Sequence, residues 1–320
     1  YKGGADWTTM TCAVVLMVGF ACVVAYLSAR GAPMEYHQRT DTFVHAYKIL
    51  QISDTQIRHM DEPCRNVDSQ WHCDAWNTTA FVHAMVSAEQ PDLVIFTGDN
   101  VRGYTNTQAW DVLTHLLPNV SFALVTGNHD KETRLMSIPY MYRTIRKSFP
   151  SALLGNTQLL LTSGETEYQL FMFDHAYTSS GWAPIGDRQV RWYERHRRNV
   201  TTLMFNHIPL REYANVSSVV GTWRSAVHHA DDDAFWAHAK DVLVFSAGHN
   251  HRNDFCGKYE SAWMCYAGSA GFTTHGYTGW RRRARVFVLN RTGVLTYKRL
   301  DDLSTLDAQF FPRQGSLGVG

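Results

Sequence analysis

DLVIFTGDN (92–100) and SFALVTGNHD (121–130) are two short apolar runs, each of which ends in a polar turn. Both runs are rich in β-branched and aromatic residues and stop at Gly, which is typical of buried parallel strands. LMFNH (203–207) and VLVFSAGHNH (242–251) repeat the pattern later in the chain. Because the carboxyl ends of parallel strands open on a crevice, we expect the polar residues that follow them to share one site. Carboxylate, amide and imidazole groups in such positions predict a metal centre.

Length and composition fit one large α/β domain or two small ones. The chain has 320 residues, of which 45% are hydrophobic and 18% are charged. The formal net charge of +1 gives no electrostatic reason to expect a nucleic-acid partner. Of the 16 His residues, only four follow apolar runs in the manner described above. We interpret most of the others as surface or core residues.

The stretch 10–29 (MTCAVVLMVGFACVVAYLSA) contains no charged residue and is long enough to cross the hydrocarbon core of a bilayer once. It exceeds the usual apolar region of a cleaved signal peptide, although Ser28-Ala29 supplies small residues where cleavage is feasible. We expect a retained transmembrane helix rather than a cleaved signal, with residues 1–9 as an N-terminal flank. The prediction is a single-pass membrane protein with its catalytic domain in the secretory lumen or at the cell surface.

Glycosylation sequons and cysteine spacing favour that compartment. Five Asn-x-Ser/Thr sequons occur, at Asn77, Asn119, Asn199, Asn215 and Asn290. Outside the apolar stretch there are two equally spaced cysteine pairs, Cys64 with Cys73 and Cys256 with Cys265. An even count in a secretory chain favours disulfides, and these pairs form the most local of three possible connectivities. A four-cysteine zinc site is the alternative, although a zinc knuckle has only about two to four residues between ligands.

The apolar pattern predicts a main domain over 47–302, preceded by a polar linker at 30–46 and followed by a tail at 303–320. Its first strand is expected at 47–53, and further strands at 158–162 and 169–173. Helices are predicted over four stretches, 77–89, 108–117, 139–149 and 187–198, with Asn77 or Thr78 as the N-cap of the first. Two late strands, 284–289 and 294–299, are joined by a hairpin signal at 290–293. Parallel βα units followed by a hairpin predict a layered α/β sandwich.

Five short motifs occur in a fixed order, each after an apolar run. They are Asp54-x-Gln56, Gly98-Asp99-Asn100, Gly127-Asn128-His129-Asp130, His207 and Gly248-His249-x-His251. This series resembles the motif set of the calcineurin-like metallophosphoesterase superfamily. NDFC (253–256) and WRRRARV (280–286) resemble its purple-acid-phosphatase-like branch in fungi and plants. The likeness covers about residues 47–302 and implies a four-layer αββα sandwich.

The resemblance implies a site for two divalent metal ions, with Mn, Fe or Zn favoured and Mg possible. Asp99 would bridge the ions, since a shared anion offsets the repulsion between cations roughly 3.5–4 Å apart. Asp54 and His251 would bind the first ion, with Gln56 as a third candidate. Asn128, His207 and His249 would bind the second. His129 would stabilise charge on the phosphate or protonate the leaving oxygen, and Asp130 would fix the tautomer of His129.

Two residues depart from the family pattern. Gln56 stands where the superfamily usually has His, which makes the first ligand set richer in oxygen and better suited to Mn, Mg or Fe(II) than to Zn. His59 is a possible replacement ligand. Arg102 stands where true purple acid phosphatases carry the Tyr that binds Fe(III), so we expect a colourless protein.

The function implied by the resemblance is metal-dependent hydrolysis of a phosphomonoester by activated water. The substrate would be a phosphorylated small molecule or a phosphoprotein. A phosphodiesterase or pyrophosphatase on the same site is one alternative, and a phospho-ligand-binding pseudoenzyme, suggested by Gln56, is another. The basic cluster Arg281, Arg282, Arg283 and Arg285 either meets substrate or faces solvent, and we favour solvent. Nothing in the sequence indicates an oligomeric state.

Overall fold

The computed structural model describes residues 35–66, 73–102, 120–130, 132, 138–175, 177–178, 181–230 and 234–313. All of them lie in a unit that begins at Glu35. The transmembrane helix predicted for 10–29 and the helix predicted for 108–117 lie outside these ranges. Within the ranges, no helix combines the length and the apolar character that a bilayer crossing requires.

The described residues form seventeen strands and three α-helices. In chain order the strands are β1 (Tyr36–Thr42), β2 (Ala46–Ile52), β3 (Leu93–Thr97), β4 (Phe122–Val125), β5 (Leu153–Leu154), β6 (Asn156–Ser163), β7 (Thr166–Phe173), β8 (Tyr177–Thr178), β9 (Gly181–Trp182), β10 (Thr201–Asn206), β11 (Ser217–Val220), β12 (Val244–Ala247), β13 (Cys256–Tyr259), β14 (Ala262–Tyr266), β15 (Arg283–Asn290), β16 (Gly293–Leu300) and β17 (Thr305–Pro312). The helices are α1 (Trp76–Glu89), α2 (Ile138–Ser148) and α3 (Asp187–His196), and two 3₁₀ helices span Arg211–Asn215 and Phe235–His238. The three α-helices agree with the predicted stretches to within about two residues at each end, the usual margin for helix boundaries.

Two mixed sheets carry the fold. The first has seven strands in the order β17-β16-β15-β2-β3-β4-β5, and the second has eight in the order β1-β6-β7-β10-β12-β14-β13-β11. β2, β3, β4 and β5 run parallel, as do β7, β10, β12 and β14. Because parallel neighbours end at the same edge, the polar turns after β2, β3 and β4 lie side by side, and so do those after β10 and β12.

The two sheets and three helices form the predicted αββα layers. One core lies between the sheets, where Ile95 of β3 and Phe205 of β10 belong to the same buried cluster. α1 and α2 cover the outer face of the seven-stranded sheet through residues such as Met85 and Ile145. α3 covers the outer face of the other sheet through Trp192. Both sheets are therefore apolar on two faces, which explains why their central strands read as continuous hydrophobic runs.

The predicted linker and tail are wrong over part of their length. Tyr36–Thr42, placed in the linker 30–46, forms β1 and pairs in parallel with β6. Thr305–Pro312, placed in the tail 303–320, forms β17 and pairs with β16. Both are sheet-edge strands. β1 is polar apart from Tyr36 and β17 buries only Phe311, so neither shows the continuous apolar run of the central strands.

The predicted N-cap of α1 is also wrong. The cap position is Ala75, which offers no side-chain acceptor. Asn77 instead accepts a hydrogen bond from the Asp74 amide at 3.1 Å through Oδ1. Thr78 Oγ1 accepts one from the Phe272 amide at 3.0 Å, so this side chain is used to hold a distant loop.

Both predicted disulfides are present. Cys64 and Cys73 are bonded with a Cα separation of 5.4 Å, and Cys256 and Cys265 with one of 4.0 Å. Cys256 and Cys265 are register partners on β13 and β14, so the second bond joins adjacent strands. The alternative zinc site is therefore wrong, because each sulfur is already paired.

The basic cluster at 281–285 is structural, and both predicted interpretations are wrong for most of it. Arg283 is buried and pairs with the buried carboxylate of Asp254. Arg285 is fully buried and donates to the carbonyl oxygens of Tyr266 and Asp254, each at 2.7 Å. Arg282 is buried against the Arg65 carbonyl, and Arg281 alone is exposed, where it pairs with Asp301. Buried guanidinium groups need such partners because desolvation of an unpaired charge is costly.

Candidate metal centre

The strand ends bring every predicted metal ligand to one cleft. Asp54 follows β2, Asp99 follows β3 and Asn128 follows β4, while His207 follows β10 in the second sheet. Backbone hydrogen bonds join neighbouring turns, from the Gln56 amide to the Asp99 carbonyl at 2.8 Å and from the Gly248 amide to the His207 carbonyl at 3.0 Å. The cleft is therefore built by loops that the two sheets hold together.

Four residues of the cleft adopt a left-handed backbone. The φ angles are 58° at Asp54, 42° at Gln56, 49° at Asp99 and 69° at His249. Non-glycine residues pay a conformational cost in this region, and such residues cluster at functional sites because the strain aims the side chain. The turns are thus shaped to point these side chains into the cleft rather than to relax the chain.

A first group of potential ligands consists of Asp54, Asp99 and His251, whose ligand atoms lie within 4.8 Å of one another. His251 Nδ1 lies 3.2 Å from the carbonyl of His275 and donates to it when it carries the ring proton. In that tautomer Nε2 presents a lone pair, and it lies 3.0 Å from Asp54 Oδ1. Asp54 Oδ1 is buried and makes no hydrogen bond. Two lone pairs that face one another in a buried place fit a bound cation.

A second group repeats this arrangement. It consists of Asp99, His207 and His249, again within 4.8 Å. His207 Nδ1 lies 2.8 Å from the Thr97 carbonyl, to which it donates in the matching tautomer. His207 Nε2 then faces Asp99 Oδ1 and Asn128 Oδ1, each at 3.2 Å. Asp99 belongs to both groups, so one carboxylate is placed between two candidate cation positions.

Gln56 lies at the first group. Its Nε2 is 3.0 Å from Asp99 Oδ2 and 3.1 Å from His251 Nε2. A half turn of the amide puts the carbonyl oxygen in the same place, where it can act as a ligand. Arg102 Nε, at 3.3 Å, donates to the Gln56 carbonyl, so the residue that replaces the iron-binding Tyr holds the backbone here.

His59 does not join either group. Its ring pairs with Asp61 at 2.6 Å, and its side chain is 43% exposed. The suggestion that it replaces the missing His ligand is therefore wrong. Gln56 itself occupies the position beside the shared carboxylate.

His129 lies beside the shared carboxylate with its side chain 36% exposed, and Asp130 does not orient it. Asp130 is buried and accepts hydrogen bonds from the amides of Asn100, Val101 and Gly127 at 2.7–2.9 Å. It therefore ties the turn after β3 to the turn after β4. Glu132 Oε1 lies 2.5 Å from His129 Nδ1 instead, which directs Nε2 toward Asp99 Oδ2 at 3.8 Å.

The electrostatics of the protein without metal favour charged carboxylates and mixed histidine states. Burial raises the pKa of Asp99, but the charges and hydrogen bonds of His207 and His129 together outweigh it and hold this pKa well below its usual range. Burial lowers the pKa of His207, yet Asp99 raises it to about 9 overall. Burial, with repulsion from His207, lowers the pKa of His249 to about 3. His207 thus carries a proton that a metal ion can replace, while His249 is already neutral.

Sequence reasoning missed Glu132 and His275. Glu132 is three residues after His129, a spacing at which two side chains can meet within one turn. That spacing is the sequence signal that identifies Glu132 as a partner of His129. His275 stacks on His251 with ring centroids 4.2 Å apart and orients that ring through its carbonyl. No local pattern marks His275, because the contact spans 24 residues of sequence.

Two candidate cation positions that share one carboxylate are the arrangement of two-metal hydrolases such as phosphatases and nucleases. Residues 47–253 match the family described as calcineurin-like phosphoesterase, and the chain belongs to that family.

Curated relatives include proteins with and without the word inactive in their names. "Probable inactive purple acid phosphatase 29" of Arabidopsis thaliana is 27% identical, over 92% of this chain and 92% of that protein. "Phosphatase DCR2" of Saccharomyces cerevisiae is 27% identical, over 80% of this chain and 54% of that protein. A solved dimetal phosphatase from Danio rerio superposes with a TM-score of 0.57 at 13% identity, covering 83% of this chain and 98% of that one, which shows the shared fold.

Proposed function

We propose that this chain is a metal-dependent phosphomonoesterase whose two divalent ions share Asp99. The observation that carries the proposal is the pairing of two ligand groups through that one carboxylate. In each group a histidine has one ring nitrogen at a backbone carbonyl and the other at a carboxylate oxygen. This is the hydrogen-bonding pattern of metal-ligating histidines.

The ligands divide between the two positions as the motifs imply. Asp54, Gln56 and His251 would hold the first ion with Asp99, and Asn128, His207 and His249 would hold the second with the same carboxylate. When bound, the ions supply Lewis-acid chemistry for the attack of water on a phosphoester. The first set has oxygen donors from three residues and one nitrogen, so Mn, Mg or Fe(II) suits it better than Zn.

His129 is the residue placed to protonate the leaving oxygen. Its side chain is 36% exposed and stands at the mouth of the cleft, where an incoming phosphate meets it. Glu132 fixes the ring through Nδ1, which leaves Nε2 to face the substrate. Asp130 holds the turns after β3 and β4 together through backbone amides and does not set the proton position of His129.

A pseudoenzyme that binds phosphorylated ligands is the second candidate. Two observations favour it: the Gln56 amide in place of an imidazole, and the names of relatives such as "Probable inactive purple acid phosphatase 28" of Arabidopsis thaliana. Both candidates use the same cleft, so they differ in metal content and turnover rather than in location.

The deciding experiment measures bound metal and turnover together. Wild type, Asp99→Asn, Gln56→His and the exposed control Asp302→Asn would be purified, assayed for metal by elemental analysis, and tested on chromogenic phosphate mono- and diesters. Two ions per chain and monoester turnover that Asp99→Asn abolishes support the enzyme. Diester turnover above monoester turnover would reassign the reaction. One ion or none, with turnover only in Gln56→His, would establish the pseudoenzyme.

We further propose that residues 10–29 anchor the chain in a membrane with the domain on the lumenal or outer side. The uncharged stretch, the five sequons and the two disulfides support this. Glycosidase treatment of protein from a eukaryotic host is expected to reduce its apparent mass, and alkaline carbonate to leave it in the membrane fraction. Release into the soluble fraction would indicate a cleaved signal instead.

A further inference from the structure

Two arginines converge on one aromatic ring beside the metal centre. The guanidinium carbon of Arg252 lies 4.6 Å from the centre of the Tyr277 ring, and that of Arg224 lies 5.5 Å from it. Arg224 also lies 5.3 Å from the Trp280 ring centre. Cation–π contact of this kind fixes the direction of each guanidinium group while leaving its N–H edge available.

Neither arginine has an acidic partner in the part of the chain that the structure describes. Other arginines nearby do: Arg281 pairs with Asp301 and Arg283 with Asp254. Arg252 is partly buried, and its Nε is buried without a hydrogen-bond partner. Two positive groups that share one ring repel each other, and a buried donor without an acceptor is costly. An anion between the two guanidinium groups offsets their repulsion and gives the guanidinium group of Arg252 an acceptor.

The pair is held in place before any ligand arrives. Asn253, which follows Arg252, accepts hydrogen bonds through Oδ1 from the amides of Arg224 and Ser225, each at 3.0 Å. Asn253 Nδ2 donates to the Ser225 carbonyl at 3.1 Å, and Tyr277 Oη donates to the Arg224 carbonyl at 3.4 Å. The fully buried Asn253 thus clamps the Arg224 loop to the turn that carries Arg252. Such preorganisation lowers the entropic cost of binding.

The same turn connects the pair to the metal centre. Arg252 directly follows the candidate ligand His251, whose ring stacks on His275, two residues before Tyr277. The chain therefore joins the arginine pair to the candidate metal centre at two points, through His251 and through His275.

We propose that Arg224 and Arg252 form an anion subsite that binds a second phosphate or carboxylate of the substrate. The preferred substrates are then phosphomonoesters that carry a second anionic group. Guanidinium forks suit this role because they bind the oxygens of phosphate or carboxylate in pairs. This inference deepens the proposed function and rests on it.

The test compares alkanediol bisphosphates of increasing length with alkanol monophosphates of the same length as substrates of the metal-loaded full chain. Wild type is expected to show a kcat/KM at least about tenfold higher for the best bisphosphate, the gain from one charged hydrogen-bonded contact. In Arg224→Gln/Arg252→Gln the ratio is expected to fall to about two, the statistical factor for two equivalent phosphates, through a higher KM. Arg281→Gln is the matched control and is expected to keep the wild-type ratio. Carboxyalkyl phosphates of the same lengths show whether a carboxylate serves as well as a phosphate.

Binding without turnover separates this inference from the proposed function. Calorimetry with non-hydrolysable alkane bisphosphonates is expected to show weaker binding, by about tenfold, to the double variant than to Arg281→Gln. If the chain hydrolyses nothing but this difference remains, the enzyme proposal fails and the subsite stands. Equal ratios in wild type and double variant, together with equal bisphosphonate binding, would overturn the subsite.

Discussion

Gly127→Ala is expected to remove metal binding and turnover without unfolding the protein. A Cβ at this position would lie 2.3 Å from Asp99 Oδ1 and 2.5 Å from His207 Cδ2, whereas ordinary contact begins at 3.4 Å. The shared carboxylate, the neighbouring imidazole or the turn after β4 must therefore move by about 1 Å, and a misplacement of that size costs about a hundredfold in rate. Overpacking of this kind costs about 1–3 kcal/mol of folding stability.

Gly186→Ala is the matched control for this substitution. Gly186 precedes α3 with φ −83° and ψ 163°, which Ala adopts freely, and an added Cβ meets only Gln189 Oε1 at 4.0 Å. Ala reduces the freedom of the unfolded chain but is a poorer N-cap than Gly, and because these effects oppose each other we expect the folding stability to stay within about 1 kcal/mol of wild type. Turnover and metal content should stay at the wild-type level.

The assay for both variants combines metal analysis, steady-state turnover and urea unfolding of metal-stripped protein. For Gly127→Ala we expect loss of metal and of turnover, with a fall in folding stability of no more than about 1–3 kcal/mol and an unfolding transition that is still cooperative. Two bound ions and turnover within about twofold of wild type would refute it, because the rate argument assumes that the ligand geometry shifts by about 1 Å.

Three further predictions follow from the contacts of single carboxylates. Asp254→Asn leaves buried Arg283 without its charged partner, so we expect the free energy of unfolding, measured in urea, to fall by about 3–5 kcal/mol. A fall of less than about 1 kcal/mol would contradict a structural role for the pair. Burial opposes ionisation of Glu89, but hydrogen bonds and charges from neighbouring groups lower its pKa below the ordinary 4.5. The stability that ionised Glu89 contributes is therefore fully present above pH 4.5 and is lost as the pH falls through the lowered pKa. Glu89→Gln should accordingly make the folding stability depend less on pH in the acid range. Glu132→Gln should lower kcat by about tenfold or more and shift the pH profile of kcat, because Glu132 acts through His129. KM and metal content should stay constant. An unchanged pH profile would assign Glu132 a purely structural role.

Much of the site was predictable from local sequence because strand ends are a local feature. Asp54, Asp99, Asn128 and His207 each follow a buried apolar run, and parallel strands deliver such residues to one edge. The disulfides were also predictable, since an even number of cysteines in two equally spaced pairs favours the most local connectivity. The helices α1, α2 and α3 were found from apolar periodicity, which depends on the chain itself.

Other features required the tertiary structure because the partner of each group is distant in sequence. Arg285 is a charged residue that no sequence pattern marks as buried. It is buried because its guanidinium group donates to the carbonyl oxygens of Tyr266 and Asp254. No local pattern marks the role of Asp130, because the amides that donate to its carboxylate reach it only when the turns after β3 and β4 lie together.

By itself, the sequence of this protein determined the layered fold, the order of the candidate ligands and the family to which the chain is similar. Those properties follow from apolar runs and the residues directly after them. Only the tertiary structure decided that Glu132 rather than Asp130 orients His129, and that Arg224 and Arg252 meet at Tyr277. The physical reason is that charge pairing and hydrogen bonding act over a few ångströms in space, and no local pattern encodes which distant groups come within that range.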